Sequence, residues 1–328
     1  MTIFDGQGVW IYNMLSCSGG YPPESQKGLE HIVNAVKLLD LAWVAPKVSN
    51  GYLPYNRVVG RGMTTNNGPD GVLPAIYDAM TALHKPRIGW GYVYGNVPQQ
   101  EADIAISQIR KYKLQGWLVD AESEYDGKAE PARLYMRTLR NACPDVAIAF
   151  AGWKQPSYHP KYPLVAFLEY MDASRGDVWM PQVYWIDQTS PARPAEELAA
   201  SMKELLKAEA LPYLPIGAAF GQTIKNKLGI PIRYWQSTAE QMANFSAAAK
   251  TAGCPGISWW SWDLMAEKDS PDPTSGKGSL NWWKTIGQEA PRWALGEQPV
   301  PEPQPQTWEQ AVDAFLRRMG FDGPEPKG

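Results

Sequence analysis

The sequence predicts an α/β fold in which eight parallel β-strands, each followed by a helix, close into a single (β/α)8 TIM barrel. Three observations predict it. Eight short β-like runs alternate with amphipathic segments up to about residue 290. Connections from helix to strand are short, as at 113–115 and 142–145. Several segments that follow strands are long, at 50–68, 221–236 and 264–278, and in this barrel such loops build the functional face.

The predicted elements follow from the apolar pattern. In chain order the strands are Val9–Asn13, Leu41–Val48, Pro86–Tyr94, Gly116–Glu122, Val146–Trp153, Asp177–Trp185, Leu211–Phe220 and Gly256–Asp263. Between them apolar residues recur at helical spacing, as in Leu29, Ile32, Val33 and Val36, in Ala102, Ala105, Ile106 and Ile109, and in Leu198, Met202, Leu205 and Leu206. Ser237 and Glu240 predict a capping box that opens a helix through Met242, Phe245 and Ala249.

An open doubly wound sheet is the alternative fold. Such sheets carry a Gly-rich phosphate-binding turn after an early strand. Here Gly89 and Gly91 lie inside the third predicted strand and are not followed by the rest of that pattern. The barrel is therefore favoured.

The composition changes after residue 295. Residues 1–295 are predicted to form the barrel, and residues 296–306, GEQPVPEPQPQ, an extended Pro-rich linker. Residues 307–328 are predicted to form a short amphipathic helix and a tail, with Trp308, Val312, Phe315, Leu316 and Met319 on one helix face. A single helix cannot bury such a face alone. The helix at 307–319 therefore either packs back on the barrel or docks a partner chain or an envelope component.

Charge and residue counts exclude several classes of protein. The chain has 31 Lys and Arg against 34 Asp and Glu, a net charge of -3, and no basic run, which disfavours nucleic-acid binding. No apolar run approaches the ~20 residues of a membrane span, and no signal peptide is evident. Three Cys and three His, widely spaced, predict no disulfide framework, no metal site and no cofactor.

Aromatic residues are abundant, with 15 Trp and 16 Tyr. Their flat apolar faces and polar edges suit sugar rings. The alternative interpretation is a large core that uses aromatic residues for packing.

The most specific local pattern lies at the end of the fourth predicted strand, where one residue separates Asp120 from Glu122. Side chains alternate along a strand, so both carboxylates share a face, which we expect to point into the barrel. Two such neighbouring charges raise the pKa of one group. A protonated acid beside a carboxylate is the pair that glycoside cleavage uses. The alternative is a solvated acidic strand end, or a carboxylate paired with Lys47 or an arginine.

Other predicted strand ends supply polar and aromatic groups. Gln182 and Tyr184 share one face of the sixth strand and are candidates for positioning a sugar amide or hydroxyl. Tyr92, Trp153 and Trp262 are candidate sugar platforms. The remaining candidates for substrate binding are Lys47, Glu124 and Asp263.

The order of these strand ends resembles family 25 glycoside hydrolases, the barrel lysozymes that cleave between peptidoglycan sugars. The carrying motif is Asp120-Ala-Glu122, with a looser match at Met180–Tyr184. The resemblance implies Glu122 as the acid and Asp120 as its charged partner. The first strand offers Asn13 where that family has Asp, and the family's later Asp corresponds to Asp187, to Asp263 or to no residue.

The chain is also similar to family 18 chitinase-like barrels, through the Tyr after the sixth strand and a Trp on the eighth, although its fourth strand lacks their full run of acids. It looks closest to uncharacterised bacterial barrels that share the Asp-Ala-Glu and Met-Pro-Gln-Val-Tyr-Trp strands.

These observations predict a glycoside hydrolase acting on an N-acetylated polysaccharide, with peptidoglycan as the favoured substrate. Glu122 is then expected to be held protonated by burial and by the charge of Asp120. The alternative is a carbohydrate-binding barrel without catalysis, acting as an envelope or virion component. A wall substrate implies an extracellular, envelope or phage-associated protein.

Overall fold

The computed structural model describes residues 1–12, 25–55, 73–205, 211–262 and 278–293. The strands are β1 (Gly6–Ile11), β2 (Trp43–Asn50), β3 (Leu53–Pro54), β4 (Ile88–Val93), β5 (Gly116–Ala121), β6 (Ala147–Ala151), β7 (Val178–Trp179), β8 (Ile216–Ala218), β9 (Gly221–Lys225), β10 (Pro231–Gln236) and β11 (Gly256–Trp260). The helices are α1 (Ser25–Leu38), α2 (Leu73–Ala82), α3 (Pro98–Tyr112), α4 (Ala129–Ala142), α5 (Leu164–Leu168), α6 (Arg193–Leu205), α7 (Ala239–Thr251) and α8 (Gly278–Trp293). The predicted linker and C-terminal helix lie outside the described residues.

Eight parallel strands form one curled sheet in the order β7-β6-β5-β4-β2-β1-β11-β8, and the short strand β3 pairs with β2. Bridges from Trp179 to Tyr213 and from Gln182 to Ile216 join the two ends of this order. The backbone NH of Trp179 donates to Pro212, and the NH of Ile216 donates to Pro181. The predicted barrel is therefore confirmed, with a helix after each of its eight strands.

Strand alternation separates two apolar layers, as the pleat requires. Inward residues such as Trp10, Trp90 and Leu118 form one buried cluster inside the barrel. Outward residues such as Val119 and Phe150 pack with the helices in a second cluster. The helices cover the sheet because their apolar stripes face these outward side chains.

The barrel interior is packed tightly at the end where the strands begin. The Trp43 indole lies across from Gly8, where an added Cβ would come within 2.0 Å of its Cε2 atom. Trp43 Nε1 donates to the Phe4 carbonyl at 2.9 Å, and the two rings meet edge to face. Only glycine at position 8 leaves room for this packing.

Two local predictions differ from the structure. The capping box of α7 is formed by Thr238 and Gln241, one residue later than predicted, because the Thr238 hydroxyl rather than that of Ser237 accepts the Gln241 NH. The segment predicted as a long loop at 221–236 forms the antiparallel hairpin β9–β10. The Asn226 side chain stabilises its turn by accepting from the NH groups of Leu228 and Ile230.

Within the described ranges, no helix is long and apolar enough to cross a membrane.

Candidate active site

The inward face changes from apolar to polar at the C-terminal ends of the strands. Each polar residue follows a buried inward residue by two positions, so alternation places it in the next layer up. Within this inward layer, Tyr12 follows Trp10, Lys47 follows Ala45, Tyr92 follows Trp90, Asp120 follows Leu118 and Gln182 follows Met180. The barrel mouth is therefore lined by charged, amide and aromatic side chains above an apolar floor.

The side-chain amide of Gln182 bridges Asp120 and Glu122 by hydrogen bonds. The Gln182 side chain donates from Nε2 to Asp120 Oδ1 at 3.2 Å and to Glu122 Oε1 at 2.9 Å. Asp120 and Gln182, candidates from two different strands, therefore lie together, whereas Asp263 lies outside the described residues. Asp120 is buried and Glu122 is half-buried. Two carboxylates of unequal burial thus lie side by side at the mouth.

The pKa of Asp120 is raised well above its ordinary value. Burial is the main cause, and the charge of Glu122 adds to it, with a smaller contribution from Glu124. The charge of Lys47 and the hydrogen bond from Gln182 act in the opposite direction. The sequence had placed the effect of burial and like charge on Glu122. In the structure the deeper burial falls on Asp120, because Glu122 stands one layer nearer to solvent.

Two tyrosines lie close to this pair. Burial, followed by the charges of Asp120 and Glu122, raises the pKa of Tyr184, whose ring meets Phe220 edge to face. The Tyr162 hydroxyl donates to the Ala121 carbonyl at 2.6 Å, and its pKa is raised by the same causes. Both phenols therefore keep their protons at neutral pH. Tyr162 was missed by the sequence analysis because it belongs to no strand end.

Tyr92 and Glu124 form one rim of the mouth. The Tyr92 hydroxyl donates to Glu124 Oε2 at 2.7 Å, and the Tyr92 ring lies 4.9 Å from that of Tyr94. Glu124 is exposed, whereas Tyr92 is half-buried. Both predicted residues are therefore brought to the opening.

Lys47 is buried and surrounded by aromatic rings. Its Nζ lies 4.6 Å from the ring centroid of Tyr12, 4.7 Å from those of Tyr55 and Trp90, and 5.5 Å from that of Tyr92. The ammonium also donates to Asn50 Oδ1 at 2.9 Å. Among the ion pairs of the described residues, none joins Lys or Arg to Glu122. The charge of Lys47 acts on Asp120 and lowers the pKa of its carboxyl.

The predicted role of Trp262 is wrong, and that of Trp153 is restricted. Trp262 is completely buried and packs in the outer core, because β11 ends at Trp260 and the alternation stops there. The half-buried Trp260 is the residue at the mouth, with its ring 5.4 Å from Trp90 and 5.9 Å from Trp10. Trp153 is half-buried, but His159 stacks on one of its faces at 4.1 Å. That face is closed to a sugar.

With this geometry in place, comparisons with known proteins show the fold. The chain matches no protein-family model and no curated protein. It is similar to solved structures of a chitinase from Chromobacterium violaceum (TM-score 0.56, 12% identity, 87% of this chain and 98% of that chain) and of a GH18 chitinase from Pseudoalteromonas aurantia (0.54, 14%, 87% and 99%). It is also similar to the spore cortex-lytic enzyme SleL of Bacillus cereus (0.51, 12%, 88% and 75%).

These similarities cover nearly all of the described barrel and share its architecture. One of these neighbours is described as a GH18 chitinase, and the specific resemblance to family 25 is not supported. At such low identity these similarities show the fold alone, and the chemistry has to be inferred from the residues of the site.

Proposed function

We propose that the protein is a glycoside hydrolase that cleaves an N-acetylated polysaccharide, with peptidoglycan or a chitin-like polymer as substrate. The observation that carries this proposal is the pair Asp120 and Glu122, held by Gln182 at the aromatic mouth of the barrel. The solved structures that share this barrel are described as chitinases and as a spore cortex-lytic enzyme, which supports the same substrate class.

The position of the two acids favours one chemical route. Asp120 and Glu122 lie on the same strand and therefore on the same side of the opening. A double displacement by two carboxylates needs groups on opposite faces of the sugar ring. The pair instead suits attack by the acetamide of the substrate itself, with the enzyme supplying one acid and one carboxylate.

In this route the half-buried Glu122 gives its proton to the glycosidic oxygen as the bond to the anomeric carbon breaks. The acetamide oxygen forms the new bond to that carbon, and the acetamide gains positive charge. Ionised Asp120 accepts the acetamide N–H and stabilises that charge. A water molecule then attacks the anomeric carbon and gives one proton to Glu122. The bond between that carbon and the acetamide oxygen breaks and its electron pair returns to the acetamide, which restores both the acetamide and Glu122.

The neighbouring side chains fit the same substrate. The Tyr184 hydroxyl keeps its proton and is suited to donate to the acetamide oxygen. The half-buried rings of Trp260 and Tyr92 offer apolar faces to sugar C–H groups. Within the described residues, no group of His, Cys, Asp and Glu is placed to hold a metal ion.

The test is turnover of purified peptidoglycan and of chitin oligomers, with deacetylated chitin oligomers as the matched control. The proposal predicts release of reducing ends from the N-acetylated glycans and none from the deacetylated ones, because these lack the acetamide. Equal cleavage of both would refute the acetamide route. Tight sugar binding without turnover at any pH would favour a carbohydrate-binding barrel instead.

A further inference from the structure

Lys47 is a positively charged residue of β2 whose side chain lies inside the apolar barrel. It is 3% exposed, and it occupies the inward position above Ala45. A buried ammonium is costly unless its charge is compensated. Cation–π attraction supplies part of this compensation, because four ring centroids lie within 5.5 Å of Nζ. The rings therefore form a cage, defined by Tyr12, Tyr55, Trp90 and Tyr92.

The cage fixes where the charge lies. Its rings come from the residue after β1, from β4 and from the residue after β3, so the ammonium is held by three separate parts of the chain. The hydrogen bond from Nζ to Asn50 Oδ1, at 2.9 Å, holds it further. Asn50 in turn donates to the Tyr94 hydroxyl at 3.2 Å. Lys47 is thus kept in place at the mouth, where its charge reaches Asp120.

Described residues on several strands act on Asp120 in opposite directions. Burial and the charges of Glu122 and Glu124 favour its neutral form. Lys47 and Gln182 favour its ionised form. The groups that face it are Lys47 on β2, Tyr92 on β4, Glu122 and Glu124 after β5, Tyr162 after β6, and Gln182 and Tyr184 after β7. Lys47 is the positive charge among these groups.

We propose that Lys47 is a positioning residue whose caged ammonium favours the ionised form of Asp120 beside Glu122 and so opposes the effect of burial. The catalytic use of that ionised form rests on the proposed function, since it is the carboxylate that stabilises the charged acetamide.

The first test measures Asp120 directly and requires no turnover. Infrared titration follows the protonated carboxyl band, and the Asp120→Asn variant identifies which part of it belongs to Asp120. In Lys47→Met the charge is lost while the side chain keeps its length. We expect Asp120 to lose its proton about one pH unit higher than in the unchanged protein. One strand, β4, separates β2 from β5, and two strand spacings amount to about 10 Å. A unit charge at that distance and at an effective dielectric constant of about 20 has this effect.

The matched control is Lys161→Met, which removes the same charge from an exposed side chain. Its titration should coincide with that of the unchanged protein. A midpoint that stays the same in Lys47→Met overturns the proposal. If Lys47→Met does not fold, Tyr55→Leu opens the cage and keeps the lysine. It should move the midpoint in the same direction by a smaller amount, and no movement would again overturn the proposal.

The second test uses the pH dependence of kcat/KM on a soluble N-acetylated oligosaccharide. Loss of Lys47 should move the acidic limb to higher pH, because Asp120 then needs a higher pH to ionise. Lys47→Arg, which retains the charge, should restore most of this limb. A merely structural role would lower the rate equally at every pH. If no variant turns over any substrate, the proposed function fails while the infrared titration still decides the role of Lys47.

Discussion

Replacing Asp120 by Asn should stabilise the fold at neutral pH. Asp120 is 5% exposed, and burial raises the pKa of its carboxyl well above the ordinary value of 3.8. The folded state therefore holds this proton more tightly than the unfolded chain does. Stability contributed by the neutral form is complete below the ordinary pKa and is lost as the pH rises through the folded-state pKa. Asn resembles the neutral form at every pH, and its Oδ1 can still accept from Gln182.

The size of the effect follows from the pKa difference. Each pH unit between the folded and unfolded values is worth about 1.4 kcal/mol once the pH exceeds both. In a chain of this length, 1 kcal/mol changes Tm by about 2 °C. Asp120→Asn should therefore gain about 3 °C over the unchanged protein for each such unit.

The assay is thermal unfolding of both proteins between pH 4 and pH 8. The difference in Tm should be small at pH 4 and should grow in favour of Asn as the pH rises. Asp145→Asn, which removes the same charge from an exposed side chain, should show no such slope. A difference independent of pH, or one that grows in favour of Asp120, would refute the assignment of the buried carboxyl.

Two further predictions concern a buried ion pair at the N-terminal end of β7 and the tryptophans at the end of β11 and beyond it. Arg140→Met should lower the free energy of unfolding, measured in urea, by about 3–5 kcal/mol, because it leaves the fully buried Asp177 without the guanidinium that contacts it at 2.5 Å. Arg175→Met, which breaks an exposed pair with Asp172, should lower it by less than about 1 kcal/mol. Equal losses in the two variants would contradict this prediction. Trp260→Ala should weaken the affinity for chitin oligomers, as measured by calorimetry. Trp262→Ala should lower the free energy of unfolding by about 3–5 kcal/mol and leave the affinity of the folded protein unchanged. The reverse pattern would show that Trp262, rather than Trp260, lies at the barrel mouth.

The barrel could be predicted because its strands carry a strong apolar pattern. Alternation placed Asp120 on the inward face, and the two apolar clusters agree with it, because Leu118 lies in the inner cluster and Val119 in the outer one. The same rule brought Gln182 to Asp120 across 62 residues of sequence. Local periodicity was sufficient here because, in a closed parallel sheet, the inward side chains of all strands point into the same interior.

The other features of the site depend on tertiary structure, which the periodicity of the sequence does not predict. Trp262 was misplaced because the sequence does not mark the end of β11 at Trp260. The greater burial of Asp120 depends on how far each strand rises toward the mouth. The cage around Lys47 required rings from separate parts of the chain, although Tyr12 and Trp90 could have been found as inward residues by the same alternation.

The central claim is that Glu122 donates the proton for cleavage, and Glu122→Gln tests it most directly. The measurement pairs the turnover of a soluble N-acetylated oligosaccharide with the affinity for that sugar, in the unchanged protein and in the variant. Loss of the proton donor should lower kcat by about 10²–10⁴-fold. Binding should survive, because Gln keeps the shape of Glu and can hydrogen-bond to Gln182. Unchanged turnover in Glu122→Gln would contradict the account.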